Sequence, residues 1–186
     1  ILVTGASTDI GLKLTKRLTK NLDDLDELFL LSFTQSLSNE IDLDIHKKIK
    51  IINQNLLSSF KNELKEILKG IDILIHMAWI RPTNPSKSHD LNLKSVKNIL
   101  NNLNKNAKII FLSSVAGIPR SSSYYGKSKF QVSKLLYNSR KTSILICGLI
   151  VSDNKKSPYV FLKKLFETIP ILIKFGHKIE ILYTNS

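Results

Sequence analysis

Tyr125 and Lys129 lie four residues apart in Tyr-Gly-Lys-Ser-Lys, a spacing that brings two side chains onto one face of a helix. A phenol titrates near ~10 and is a weak acid–base group at neutral pH. A neighbouring ammonium favours the phenolate and draws the phenol toward a usable range. Ser113 and Ser114 close an apolar run ahead of this pair, and either hydroxyl could hold a carbonyl or alcohol oxygen beside the phenol. Together these are the parts of a proton-transfer site. Alone, the Tyr–Lys pair suits an amphipathic helix equally well.

A second stretch with chemical potential opens the chain, Ile-Leu-Val-Thr-Gly-Ala-Ser-Thr-Asp-Ile-Gly. Ile1 to Val3 read as a buried strand, Gly5 breaks it, and Leu12, Leu14 and Leu18 then carry a helical pattern. Strand, glycine turn and helix N-terminus in that order form a pocket for a phosphate, because free N–H groups and the helix dipole point at it. The glycine pattern is incomplete: Gly5 and Gly11 are present, while Thr8 or Asp9 stands at the middle position. A carboxylate at Asp9 would repel a pyrophosphate unless it turned outward. A tight turn without a ligand is the competing reading.

These residues need elements to hold them, and the hydrophobic pattern supplies an alternation. The first helix is expected to run to about Leu22, with a strand at Leu28–Leu31 and a loop over Phe33–His46. A third strand at Ile49–Ile52 precedes a helix over Phe60–Leu68 that Gly70 closes. The continuous apolar run Ile71–Met77 reads as a strand buried on both faces. After a Pro-containing loop, Leu93, Val96, Ile99, Leu100 and Leu103 mark a helix over Leu91–Leu103. Ile109–Leu112 is a fifth strand, Tyr125–Ser139 a helix and Ser143–Ile146 a sixth strand. A helix from Tyr159 to about Thr168 and a seventh strand at Ile179–Tyr183 complete the pattern. Strands alternating with helices predict an α/β, Rossmann-type doubly wound parallel sheet of about six or seven strands, with helices on both faces. Gly5, Ser32, Asn55, Ala78, Ser114 and Gly148 then fall at the strands' C-terminal edge, where ligands bind in such sheets.

In combination the motifs resemble the short-chain dehydrogenase/reductase superfamily, in particular its extended epimerase/dehydratase-like branch. Thr4–Gly11 looks like its cofactor turn, Asp72-Ile-Leu-Ile-His-Met-Ala-Trp79 like its fourth strand, and Asn92 like its helix asparagine. Ser113-Ser-Val-Ala-Gly117, with Tyr125 and Lys129 following, is similar to the Ser-Tyr-Lys set. The resemblance implies that Tyr125 is the acid/base, that Lys129 holds the ribose and lowers the tyrosine pKa, and that Ser114 binds the reacting oxygen. Asn92 would anchor a proton-relay water or the active-site helix. Gly5, Ser7, Thr8, Asp9, Ile10 and Gly11 would surround the pyrophosphate of NAD or NADP, with Asn55 and Leu56 flanking adenine. Met77, Ala78 and Ile150 would also contact the cofactor, Ile150 near the nicotinamide carboxamide. The implied activity is NAD(P)-dependent hydride transfer on a small molecule, with a nucleotide sugar as the favoured substrate and polysaccharide synthesis a fitting setting.

The sequence also departs from the family. The acid expected after the second strand is replaced near Ser32, the aspartate after the third by Asn55, the glutamate four residues after Lys129 by Ser133, and the proline before Gly148 by Cys147. Lack of the first acid makes NADP acceptable and weakens the case for NAD. The rival reading is a dinucleotide-binding regulatory or assembly protein that keeps the fold and has lost turnover.

The composition bounds the remaining classes. The chain has 186 residues, is 42% hydrophobic, and carries a formal charge of +13. Its basic residues are scattered as helix faces would scatter them, without interleaved aromatics, so a polyanion-binding protein ranks last. No apolar window is long enough to span a membrane, and the motif starts at the first residue, so no signal peptide is expected. The single cysteine, Cys147, suits a reducing compartment and a cytoplasmic protein. His46, His76, His89 and His177 lack ligand spacing, so no metal is expected. His76 and Trp79 are candidates to line the site, His76 more readily as a satisfied strand-end histidine. Residues 1–152 are expected to form the dinucleotide-binding domain and 153–186 the start of a small or truncated substrate-binding region. A homodimer is compatible with this plan.

Overall fold

The structure, a computed structural model, describes residues 1–20, 27–33, 37 and 48–148. In chain order the elements are β1 (Leu2–Thr4), α1 (Asp9–Thr19), β2 (Leu28–Ser32), β3 (Ile49–Asn53), α2 (Asn62–Lys69), β4 (Ile73–His76), α3 (Ser88–Leu100), β5 (Lys108–Ser114), α4 (Tyr124–Ser139) and β6 (Thr142–Cys147). The strands form one six-stranded sheet in the order β3-β2-β1-β4-β5-β6. The β1–β2, β1–β4, β2–β3 and β4–β5 pairings are parallel. This is the Rossmann-type order, with its reversal between β1 and β4. Residues Ile1–Leu145 form one compact unit; Ile146–Ser186 form another, of which residues 146–148 are described.

The period-2 pattern of the strands sorts their side chains to two faces. Leu2, Phe29, Leu31, Leu74, Ile109 and Phe111 join a core with residues of α2, α3 and α4, including Leu64, Leu68, Val96, Ile99, Val132 and Leu136. Val3, Leu28, Leu30 and Ile49 belong to a second core, against which Leu12, Leu14 and Leu18 of α1 pack. Helices therefore cover both faces, as the alternation predicts.

Element limits differ from the sequence reading where local hydrogen bonds decide them. β4 is shorter than the apolar run, because Ile71 N–H turns back to Leu68 O at the end of α2. α3 begins earlier, at Ser88. Asn84 accepts from Ser86 N–H and Pro85 opens a short 3-10 turn that leads directly into it. It ends at Leu100, although Leu103 still reaches the core. β5 extends through Ser113 and Ser114, so these serines lie on the strand itself. The C-terminal end of the first predicted helix, beyond residue 20, the helix over 159–168 and the strand over 179–183 lie outside the described residues.

Leu136 of α4 is 1% exposed in the core, whereas the adjacent Tyr137 is 70% exposed. Leu136→Ala should lower the unfolding free energy by about 2–5 kcal/mol, and Tyr137→Ala by less than about 0.5 kcal/mol, measured by equilibrium urea unfolding.

Candidate active site

The glycine turn is built against the end of β4. Gly5 has φ +73°, and a Cβ there would lie 2.6 Å from Ala78 N and 2.9 Å from Met77 C. Only glycine satisfies both the backbone conformation and this close approach. Gly11 serves the other side of the turn: its Cβ would lie 2.2 Å from Gly5 O, so a side chain would push α1 away. Between them Thr8 is the N-cap. Its hydroxyl donates to Gly5 O at 2.8 Å, and its oxygen accepts from Gly11 N–H at 3.1 Å. Thr8 thus closes the turn from within. Asp9 and Ile10 fall in the first turn of α1, where the helix dipole favours the Asp9 carboxylate. Ser32, at the end of β2, is buried and donates to Ser7 Oγ at 3.0 Å.

From the turn, contacts run across the sheet. Thr4 Oγ1 and His76 Nδ1 are 2.8 Å apart, and the imidazole stacks on Phe111 with centroids 5.7 Å apart. Burial first, and the ammonium of Lys129 second, push the His76 imidazole down to about 3. It is therefore neutral across the physiological range, the satisfied strand-end histidine expected from sequence.

Lys129, on the inner face of α4, is 4% exposed. Its Nζ donates to Leu112 O at 2.7 Å and stands 3.9 Å from the centroid of Trp79, 4.8 Å from that of Phe111 and 5.9 Å from that of Tyr125. Trp79 meets the Tyr125 ring edge-on, with centroids 5.8 Å apart at 78°. Tyr125 is 38% exposed, so the phenol opens toward solvent while its lysine partner is enclosed. The pair shares a helix face as its spacing predicts.

The flanking residues hold this arrangement. Asn92 is buried, and its amide clamps the backbone of Ile80: Oδ1 accepts from Ile80 N–H and Nδ2 donates to Ile80 O, both at 2.9 Å. Nδ2 also donates to Ser88 O at 2.8 Å. The side chain secures the loop after β4 to α3. Ser128 Oγ donates to Ser88 O at 3.1 Å and ties α4 to α3. Gly117 and Gly126 let the loop after β5 lie over α4. A Cβ on Gly117 would reach 3.1 Å from the Lys129 Cβ, and one on Gly126 would reach 2.2 Å from Ala116 O. Ser114 Oγ accepts from Ala116 N–H at 3.3 Å and so shapes this loop.

Gly5, Thr8, Gly11, Met77 and Ala78 are thus brought together at the reversal of strand order, and Tyr125 and Lys129 together on α4, with Trp79 between the two groups. Asn55 and Leu56 follow β3, whose next residue Gln54 donates its N–H to Ser32 O at 3.0 Å. Asn55 Oδ1 accepts from Leu57 N–H in a turn, and the Leu56 side chain joins the core below it. Ile150 lies outside the described residues. Phe111 was not singled out from sequence, because an aromatic inside an apolar strand reads as core.

The fold recurs in solved structures. A Pen protein from Bacillus thuringiensis is 17% identical with a TM-score of 0.67; the match covers 89% of this chain and 55% of that one. WbmH from Bordetella bronchiseptica, solved in complex with NAD+, is 16% identical with a TM-score of 0.67, covering 90% and 62%. A UDP-glucose 4-epimerase is 18% identical with a TM-score of 0.61, covering 79% and 50%. The chain has the fold of these proteins. It spans about half the length of the first two structures it matches here, Pen and the epimerase. No family sequence profile and no curated protein sequence matches the chain. The Rossmann-type fold expected from the sequence is the fold these proteins share. Among the described residues no helix is long and apolar enough to cross a membrane, and no cluster of His, Cys, Asp or Glu could hold a metal ion.

The His76 geometry has a pH consequence. Its folded pKa lies below the unfolded value near 6.5, so its contribution to stability is present above about pH 6.5 and declines as pH falls toward the folded value. Between pH 5 and 6.5 wild-type unfolding free energy should fall by up to about 1.4 kcal/mol per pH unit more steeply than that of His76→Gln. Urea unfolding at several pH values would test this, and parallel slopes would refute it.

Proposed function

We propose that the chain binds NAD or NADP along the C-terminal edge of its sheet and acts as an oxidoreductase of the epimerase, dehydratase or reductase type. The observation that carries this reading is the unbroken set of contacts from Thr4 through His76 and Phe111 to Lys129, which joins a glycine turn to a Tyr–Lys pair. The glycine turn supports this reading: the positive φ at Gly5 makes the tight turn and the missing Cβ at Gly11 lets α1 pack closely against it, two of the three glycine roles in a dinucleotide-binding turn. In this reading Gly5, Ser7, Thr8, Ile10 and Gly11 surround the pyrophosphate, and Asp9 turns its carboxylate outward. Asn55 and the backbone at Leu56 flank adenine, and Met77, Ala78 and Ile150 border the nicotinamide side.

A bound nicotinamide would supply the hydride chemistry. The chain's own residues handle the proton. Tyr125 Oη gives or takes the proton of the reacting carbinol, Ser114 Oγ steadies that oxygen, and Lys129 supplies positive charge beside the phenol and a donor for the ribose. Asn92 acts one step removed, through the loop it clamps. The substrate class that suits this chemistry is a small alcohol or ketone, with nucleotide sugars as the first choice, and surface-polysaccharide synthesis follows if that choice is right. The domain division at about residue 152, a cytoplasmic setting and a homodimer belong to the same proposal.

The second reading, a dinucleotide-binding regulatory protein with reduced turnover, is favoured by one observation: Thr8 occupies the Gly11 N–H that a phosphate could otherwise use.

Titration of the purified chain with NADH and NADPH, followed by nicotinamide fluorescence, tests both. Micromolar binding of either is expected, and Tyr125→Phe should retain that binding while losing turnover by at least about 100-fold. Absence of binding at millimolar NADH and NADPH would overturn the dinucleotide reading.

A further inference from the structure

Trp79 is the only tryptophan in the chain, and its indole touches both members of the Tyr125–Lys129 pair. It is the nearest of three rings around the Lys129 ammonium, at 3.9 Å from its centroid, and it meets Tyr125 edge-on. Indole presents the most electron-rich face of the aromatic side chains to a cation, and the attraction grows when the cation is desolvated. Lys129, 4% exposed, is desolvated. Among the described residues, Trp79 Nε1 is buried without a hydrogen-bond partner, so the indole is held here by its ring contacts. The backbone that presents the indole is fixed one residue away, where Asn92 clamps both polar groups of Ile80.

We propose that Trp79 is a positioning residue: its indole, held by the Asn92 clamp, fixes the Lys129 ammonium beside Tyr125. The catalytic meaning of this placement rests on the function proposed above, whereas the placement itself can be tested without any cofactor.

Urea unfolding of wild type, Trp79→Leu, Lys129→Met and the double variant forms a thermodynamic cycle. If the indole stabilises the ammonium, the double variant loses about tenfold less in its folding equilibrium constant than the product of the single losses. Trp79→Phe, which keeps a weaker face, should fall between wild type and Trp79→Leu. Should Trp79→Leu fail to fold, the emission and near-ultraviolet circular dichroism of the sole tryptophan decide: both change in Lys129→Met while the far-ultraviolet spectrum does not. Multiplicative losses in the cycle, or a Trp79 signal indifferent to Lys129→Met, would overturn the proposal.

NADH binding separates the two layers. Trp79→Leu should weaken it by the same factor as Lys129→Met, about tenfold, with no further loss in the double variant. Coupled unfolding with unchanged NADH affinity in Trp79→Leu would overturn the positioning role. A wild-type chain that binds neither NADH nor NADPH would instead remove the dinucleotide reading, and the cycle and the Trp79 signal would still decide the placement.

Discussion

The buried ammonium of Lys129 is the constraint around which the site is assembled. An ion of this kind leaves water at a cost of several kcal/mol unless dipoles and partners replace its hydration. α4 cannot supply those partners alone, because its backbone carbonyls serve the helix. They come from the carbonyl of Leu112 on β5 and from the rings of Trp79, Phe111 and Tyr125. Three elements must therefore meet at one point: the C-terminal end of β5, the loop after β4 and the first turns of α4. Small residues make the meeting possible. Gly117 in the loop after β5 and Gly126 on α4 let the two pack together, and Ser128 ties α4 to α3.

The same requirement links the lysine to the glycine turn. β1 and β4 are neighbours only because the chain crosses back after β3, and the turn after β1 must pass the end of β4 without a Cβ. Met77 N–H completes the ladder by bonding to Thr4 O at 3.1 Å, and the next two residues carry the chain past Gly5 to Trp79. A shift of this loop would move the glycine turn and the aromatic wall of the lysine together. His76 reports the coupling, since its imidazole bonds to β1 on one side and feels the Lys129 charge on the other.

Much of this was legible in the sequence because it depends on periodicity and on residues whose chemistry is local. Alternating strands and helices, the Gly5 turn and the four-residue spacing of Tyr125 and Lys129 required no knowledge of long-range contacts. Strand and helix limits were less accessible, since the turn-back at Ile71 and the early start at Ser88 depend on hydrogen bonds that leave no periodic trace. Site details failed to show for a different reason. Phe111 looks like any core aromatic until a lysine from a helix 18 positions later stands over it. Asn92 was recognised by its place in a motif, but its action on Ile80 depends on how the loop folds back.

The residues that depart from the pattern the sequence resembles satisfy the turn from within. Ser32 stands where an acid was expected, is 2% exposed and bonds to Ser7. A carboxylate in that space would be desolvated beside a hydroxyl, at a cost that a serine does not incur. Thr8 replaces a glycine and uses its hydroxyl both to cap α1 and to hold Gly5 O. Asp9 supplies negative charge to the helix N-terminus from within the chain. Each replacement gives the turn an internal partner for a group that a ligand could otherwise contact. Gly5 and Gly11 let the turn pack against the end of β4 and the start of α1, while Thr8 satisfies part of the turn from within. Binding an anion at this turn would therefore require Thr8 and Asp9 to give way, whereas the Lys129 ammonium is already enclosed by the Leu112 carbonyl and the rings of Trp79, Phe111 and Tyr125.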